Sequence, residues 1–325
     1  MDDKALLARL PASVADRVQS IRQADGRVTL VVDATGLDQQ TRDGFEAACR
    51  DILGEVDGVD EVRVAMMADR VRRRIVAIGS GKGGVGKSTL TANLAVALHR
   101  MGRKVGLVDA DIYGPSQPTL LATEGVKPEA RDDKLVPVMS PLGIPMLSMG
   151  HLVEPGKALA WRGPMAGNAF GQLVDANWGD TELLLLDLPP GTGDVQLSML
   201  QKHKPAGAII VSTPQDLALI DAQRAANLFD SGKVPIIGLV ENMSGYACPH
   251  CGEVSDPFGS GGVERAAEGT GIPFLGRIPL ALAIRSASDE GEPPAAGDAP
   301  EGEAFAAIAR SLADWLDSPQ TGIGA

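Results

Sequence analysis

The chain has 325 residues and a formal net charge of −12, with 44% hydrophobic and 22% charged residues, which is the balance of an ordinary globular protein with room for one large domain and a small one. That acidity argues against binding nucleic acid through its phosphates and against docking on anionic membrane, both of which need clustered Lys and Arg. Three cysteines exclude a disulfide scaffold, no apolar run approaches the ~20 residues of a membrane span, and Met1-Asp2-Asp3-Lys4 opens no signal peptide, so the expected location is cytoplasmic.

Residues 1–68 read as a small α+β domain. Leu6 to Ile21 is helical in tendency, interrupted at Pro11. Val28 to Val32 reads as a strand, Phe45, Ala48, Cys49, Ile52 and Leu53 share one helical face, and Val59 to Met66 reads as a second strand. Cys49 is expected in that small core. Residues 69–74, with their arginines, read as a solvated linker.

The remaining domain, 75–317, alternates apolar strands with helix-like stretches. Strands are expected at Ile75–Ile78, Val105–Val108, Leu183–Leu186, Ala208–Val211, Ile236–Val240 and Phe274–Ile278. Near-continuous apolar runs of this kind predict an α/β fold, a mostly parallel sheet covered by helices on both faces, which binds ligands at the carboxyl ends of its strands. Residues 291–303 are expected to be a loop and Phe305 to Leu316 a final amphipathic helix, with a frayed tail over 318–325.

The chemistry concentrates at strand ends. The first apolar strand runs into Gly79-Ser80-Gly81-Lys82-Gly83-Gly84-Val85-Gly86-Lys87-Ser88-Thr89, followed by a helical stretch. Strand, glycine-rich turn and helix make the setting in which G-x-x-x-x-G-K-[ST] cradles phosphates with backbone N–H groups and a helix N-terminus. Lys87 is expected on the β/γ-phosphates and Ser88 on Mg²⁺. Lys82 lies too near its own loop's start to add much to Lys87. It is placed instead to reach the phosphates of a second subunit, as an arginine finger does. Leu183 to Leu186 end in Asp187, a Walker B pattern in which the carboxylate holds Mg²⁺ through a water. The segment Leu188-Pro189-Pro190-Gly191-Thr192-Gly193-Asp194 follows, with glycines that allow approach to the γ-phosphate and movement when it leaves.

Cys248-Pro249-His250-Cys251 sets two thiols at metal-ligand spacing in a loop after a strand. One chain holds no second such pair, so a symmetric dimer is the simplest way to assemble four thiolates. Four thiolates suit a [4Fe–4S] cluster and also Zn²⁺, and ligand softness does not separate them. A thioredoxin-like pair is the third reading, disfavoured because Gly252 follows where that motif opens a helix.

The double-lysine loop resembles that of the deviant-Walker ATPases, which include the nitrogenase iron protein, MinD and ParA. With Asp111-Ile112-Tyr113-Gly114-Pro115-Ser116, Trp161-Arg162-Gly163-Pro164, Asp187 to Asp194, Thr213-Pro214-Gln215, Glu241-Asn242-Met243-Ser244 and the Cys248/Cys251 pair, roughly residues 74–317 resemble the Mrp/ApbC iron–sulfur cluster carriers. The resemblance implies a homodimeric P-loop ATPase that binds ATP and Mg²⁺, hydrolyses ATP slowly, and passes a bridging [4Fe–4S] cluster from assembly scaffolds to apo-proteins. It implies Lys82, Lys87 and Asp111 as catalytic, Asp111 by orienting the attacking water. It places nucleotide on Gly81 to Thr89, Asp194 and Asn242, the last against adenine. Asp109 is expected to be structural or outside the metal's direct ligands. Residues 1–68 resemble the small iron–sulfur assembly domains, with Ala34-Thr35-Gly36-Leu37-Asp38-Gln39-Gln40 where a cysteine loop is usual, which points to docking or regulation. A MinD- or ParA-like positioning ATPase and a zinc-stabilised dimer are the alternatives. The first needs a basic membrane helix or DNA face, which this chain's charge opposes.

Overall fold

The computed structural model describes residues 3–34, 37, 39–67, 73–112, 114–152, 163–191, 193, 196, 200–248 and 250–318. The chain divides into two compact units, Met1–Arg72 and Arg73–Ala325.

In the first unit two short helices, α1 (Asp3–Leu7) and α2 (Ala12–Ala15), precede strands β1 (Val18–Ala24) and β2 (Arg27–Asp33), helix α3 (Gln39–Gly54) and strand β3 (Glu61–Met67). The sheet order is β1-β2-β3, antiparallel then parallel. Strand β1 replaces the end of the expected helix. Asp25 and Gly26 both have positive φ, 50° and 73°. An Asp-Gly pair in that conformation matches the twist of a tight hairpin and folds Val18–Ala24 back onto β2. Leu6, Val28, Leu30, Val32, Cys49 and Leu53 form the core. Burial, followed by the nearby Glu46 charge, pushes the Cys49 thiol pKa up, so this sulfur is inert packing.

The second unit is built on strands β4 (Arg74–Gly79), β5 (Val105–Asp109), β6 (Ala130–Arg131), β7 (Lys134–Leu135), β8 (Val138–Met139), β9 (Pro145–Ser148), β10 (Leu183–Asp187), β11 (Gly207–Ser212), β12 (Ile236–Ala247), β13 (Val254–Ser255) and β14 (Phe274–Leu280). Its helices are α4 (Lys87–Arg100), α5 (Gln117–Leu120), α6 (Met149–Leu152), α7 (Gly163–Val174), α8 (Asp216–Ser231), α9 (Gly262–Thr270), α10 (Leu282–Asp289) and α11 (Pro300–Asp317). The main sheet runs β13-β12-β11-β4-β10-β5-β9-β8, with β14 also on β12. The pairs β12–β13 and β8–β9 are antiparallel and the others parallel.

Alternation along each strand feeds two cores. Val76, Ile78, Leu183 and Leu185 face α4 and α11, while Ala77, Leu184 and Leu186 face α7 and α8. This is why the central strands read as unbroken apolar runs. The expected linker is partly integrated: Arg73 donates to the Thr181 and Gly179 carbonyls, each at 3.1 Å, and Arg74 to that of Leu316. The rest of it, and all but Ser318 of the expected tail, lie outside the described residues. The stretch expected to be a loop over 291–303 contains a 3₁₀ turn at Pro294–Ala296 and the start of α11.

Phe229 of α8 is fully buried and packs so closely on Gly79, the last residue of β4, that a Cβ there would stand 3.0 Å from its ring. Replacement of Phe229 by Ala is expected to cost about 3–5 kcal/mol by leaving a cavity under the glycine-rich loop. A shift of the denaturation midpoint would report it, and a loss below about 1 kcal/mol would contradict this packing.

Candidate functional site

Strands β4 and β10 are neighbours, so the loop that leaves β4 and the carboxylate that ends β10 emerge side by side. Gly86 caps α4 with φ 82°, and a Cβ on it would lie 1.9 Å from Asn242 Nδ2. Only glycine fits both demands. Gly81 is equally confined, since its Cβ would meet the Asp221 backbone at 2.1 Å. The loop Gly81–Thr89 thus takes the predicted strand–turn–helix form.

Lys87 and Asp187 form a buried ion pair, 6% and 0% exposed. Lys87 Nζ also lies 3.4 Å from Ser88 Oγ. Two charges taken out of water cost several kcal/mol each, so they persist here only with their partners in place. Gln117, the first residue of α5, completes the arrangement. Its Nε2 donates to Asp187 Oδ2 at 2.8 Å and to the Ser88 carbonyl at 3.0 Å.

Asp109 lies opposite Asp187 on the adjacent strand β5 and is fully buried. It accepts from Ser148 Oγ at 2.9 Å and from the N–H groups of Gln117 and Asp111, each at 3.1 Å. Burial, then the charge of Asp187, pushes its carboxyl up to about 7 against those hydrogen bonds. Asp111 follows on the loop beyond β5, half-buried, with its carboxylate accepting the Gly114 N–H at 3.2 Å.

Lys82 is half-buried, and its Nζ donates to Gln215 Oε1 of the same chain at 3.3 Å. The segment after Asp187 is tied to the loop, because Gly191 N–H donates to the Ser80 carbonyl at 3.0 Å. Buried Gln196 holds the same turn through the carbonyls of Pro189 at 2.6 Å and Gly191 at 3.1 Å. Asp194, Trp161 and Arg162 lie outside the described residues.

Asn242 is not on a loop. Strand β12 continues past the expected end at Val240 as far as Ala247, and Asn242 sits within it, with Nδ2 donating to the Val85 carbonyl at 2.8 Å. The continuation is irregular. Met243 and Gly245 have φ of 60° and 74°, and the pairing with β14 shifts register between Asn242 and Tyr246. A positive φ at a residue with a side chain is uncommon and marks a conformation imposed by its surroundings. Glu241 anchors this kink. It accepts from Ser244 Oγ at 2.8 Å and from the N–H groups of Gly261 and Val263 at 2.9 Å, with Arg277 at 3.3 Å. Burial pushes the Glu241 carboxyl up, but these donors outweigh it and hold it below the usual range.

Strand β12 then turns through Cys248–Cys251 into β13, which places the thiols at the tip of a hairpin. Cys248 N–H donates to the Glu253 carbonyl and Gly252 N–H to the Cys248 carbonyl, at 2.9 and 2.8 Å. The N–H groups of His250 and Cys251, and the Cys251 thiol, point at the Cys248 sulfur and lower its pKa. That favours the thiolate, the form that binds metal. Both thiols are free, Cys248 half-buried and Cys251 exposed. Among the described residues no group of three or more His, Cys, Asp and Glu side chains gathers as metal ligands.

Sequence reasoning missed Gln117, Ser148 and Gln196. A glutamine between Ser116 and Pro118 carries no pattern that distinguishes an inward side chain from an exposed one. The register of β5, β9 and β10 brings Gln117 and Ser148 to the two aspartates, while Gln196 acts locally on the turn after β10.

The family model described as a NUBPL iron-transfer P-loop NTPase matches residues 71–313. The chain is 50% identical over 222 residues to an Arabidopsis thaliana iron–sulfur protein required for NADH dehydrogenase, covering 67% of this chain and 70% of that one. It is 46% identical over 228 residues to an iron–sulfur cluster carrier protein of Pseudomonas fragi, covering 70% and 79%. Among solved structures, an Archaeoglobus fulgidus nucleotide-binding protein in complex with ADP is 39% identical with a TM-score of 0.61, covering 71% of this chain and 91% of that one. The chain therefore belongs to the iron-transfer P-loop NTPases, as the sequence motifs implied.

Glu241→Gln is expected to cost about 1.5–3 kcal/mol at neutral pH, since it weakens charge-assisted hydrogen bonds. A carboxylate whose folded pKa is lowered contributes stability above its unfolded pKa and loses it as pH falls through the folded value. The difference in melting temperature between variant and wild type is therefore expected at pH 7 and should shrink as pH falls from about 4.3, the ordinary Glu value, through the lower folded value. A gap that is constant across this range would contradict the ionised role.

Proposed function

We propose that this iron-transfer P-loop NTPase is an ATP-dependent carrier of iron–sulfur clusters. A homodimer binds one [4Fe–4S] cluster as cargo through Cys248 and Cys251 of both subunits and delivers it to apo-proteins. The single observation that carries this reading is the course of β12. One continuous strand holds the glycine-rich loop through Asn242 and Val85 and then presents the two thiols at its tip. A change at the nucleotide reaches the cluster ligands through one hydrogen bond and the backbone of one strand. ATP shifts the grip on the cluster only to the extent that it binds the two geometries with different affinity.

The backbone of Gly81–Thr89 and the N-terminus of α4 cradle the phosphates, and Lys87 exchanges the Asp187 carboxylate for their β/γ oxygens as Mg²⁺ becomes the partner of Asp187. The amide of Asn242 already binds Val85 through nitrogen, so its oxygen is the atom that receives the adenine amino group. The Ser88 hydroxyl, the Asp187 carboxylate and the buried, unpartnered Gln117 Oε1 are hard oxygen donors that fit Mg²⁺. Ser88 and Asp187 would hold it, and bound Mg²⁺ offsets phosphate charge. Asp111 orients the attacking water. Lys82 leaves Gln215 to reach the phosphates of the partner subunit, so hydrolysis is slow and waits on the dimer. Asp194 completes the phosphate contacts.

Two sulfurs per chain, with no third ligand gathered beside them among the described residues, support the shared site. Val254, 68% exposed, and the exposed Phe258 lie in the same hairpin region and form the kind of apolar surface that a second copy covers. Residues 1–68 serve as a docking or regulatory domain. Among the described residues no helix is long and apolar enough to cross a membrane. The acidic net charge of −12 supports a cytoplasmic place of work without a membrane or nucleic-acid partner.

Anaerobic reconstitution is expected to give about four iron atoms per dimer. Cys248→Ser should lose them with its circular dichroism unchanged. Retention of full iron by that variant, or zinc surviving in place of iron with no transfer to an apo-acceptor, would overturn the assignment. Lys87→Ala is expected to abolish nucleotide binding, whereas Lys82→Ala binds nucleotide and turns it over about 10³-fold more slowly. Calorimetric titration and phosphate release separate the two, and equal loss of binding would contradict a trans-acting Lys82.

A further inference from the structure

We propose that Gln117 is a positioning residue for the divalent cation that accompanies the nucleotide. Its Nε2 locks the Asp187 carboxylate, and its Oε1 accepts a hydrogen bond from a water of the cation's hydration shell. The inference rests on the nucleotide part of the reading above and is independent of the cluster.

The orientation of the Gln117 amide is settled by its neighbours. Asp187 Oδ2 and the Ser88 carbonyl are both acceptors, at 2.8 and 3.0 Å, so the nitrogen faces them. A flipped amide would set oxygen against two oxygens. The amide oxygen is bonded to the same carbon, so it lies beside the same two groups. It is buried and has no hydrogen-bond partner in the structure. Three donors in this region have recorded partners other than this oxygen. Ser148 Oγ donates to Asp109, Thr91 Oγ1 to the Lys87 carbonyl, and Lys87 Nζ serves Asp187 and Ser88.

A buried acceptor left without a donor carries a desolvation penalty, and in a functional site it marks where a ligand's donor arrives. The chemistry there selects the donor. The acceptors there, from Ser88 and Asp187, are all oxygen, with Lys87 Nζ beside them, and Mg²⁺ in oxygen sites keeps several of its waters. Those waters are strong donors that need acceptors held at fixed positions. Gln117 supplies one and holds the Asp187 carboxylate through its other end. It also ties both to the first turn of α4 through the Ser88 carbonyl.

The test uses the full chain and ADP, so that no turnover is involved. ADP affinity is measured by calorimetry in EDTA and across a Mg²⁺ titration, for wild type, Gln117→Met, and the milder Gln117→Asn, which keeps an amide of shorter reach. The variants are expected to match wild type in EDTA but to need about 10- to 100-fold more Mg²⁺ for the same tightening, the usual effect of losing a group that holds a metal's ligands. Repeating the titration with Mn²⁺ and following it by electron paramagnetic resonance gives a metal readout free of nucleotide heat. An unchanged Mg²⁺ dependence in either folded variant would overturn the inference. So would an equal fall of affinity in EDTA, because that is what a purely structural glutamine would show. A wild type whose ADP binding ignores Mg²⁺ would overturn the nucleotide reading, and this inference with it.

Discussion

The buried pair of Lys87 and Asp187 is the constraint around which the larger unit is arranged. Neither charge tolerates burial alone, so the strand that ends in Asp187 must lie beside the strand that feeds the loop carrying Lys87. Parallel pairing of β4 and β10 delivers this, and the unbroken apolar runs of both strands hold it between two helical layers. The carboxylate of Asp109 on the next strand is tolerated so close to Asp187 because it accepts three hydrogen bonds and its pKa rises to about 7. The polar cluster is thus a consequence of register, with hydroxyl and amide groups filling the places that charge cannot occupy.

The second constraint is mechanical. Asn242 holds the Val85 carbonyl, Met243 and Gly245 bend the strand, and Glu241 pins the bend to the start of α9. Beyond the bend the same strand carries the thiols, whose backbone turn directs N–H groups at the Cys248 sulfur. The asparagine proposed for the nucleotide and the two thiols therefore adjoin one element. A loop that merely drifted near the phosphate site would offer no such connection, and a well-packed strand with a bend allows two discrete arrangements more readily than gradual deformation.

Much of this was legible in the sequence. The unbroken apolar strands, the glycine-rich loop and the carboxylate after Leu186 are local patterns with one physical solution. What was not legible depended on register or on a single turn. Val18 to Ala24 reads as the end of a helix until Asp25-Gly26 is recognised as a hairpin turn. Asn242-Met243-Ser244-Gly245 looks like a loop because it is polar and ends in glycine, yet pairing with β14 and the grip of Glu241 keep it in the sheet. Gln117 gives no signal because its role is set by residues distant in sequence. Asp194 and the Trp161-Arg162 segment, singled out by motif, lie outside the described residues.

Native mass spectrometry of protein reconstituted without oxygen, with and without ATP, bears most directly on the central claim because it counts subunits and metal atoms in the same particle. The account predicts a particle of two chains holding a single four-iron cluster, with ATP altering the fraction that retains it. Single chains each holding their own metal, or metal occupancy indifferent to ATP, would contradict it.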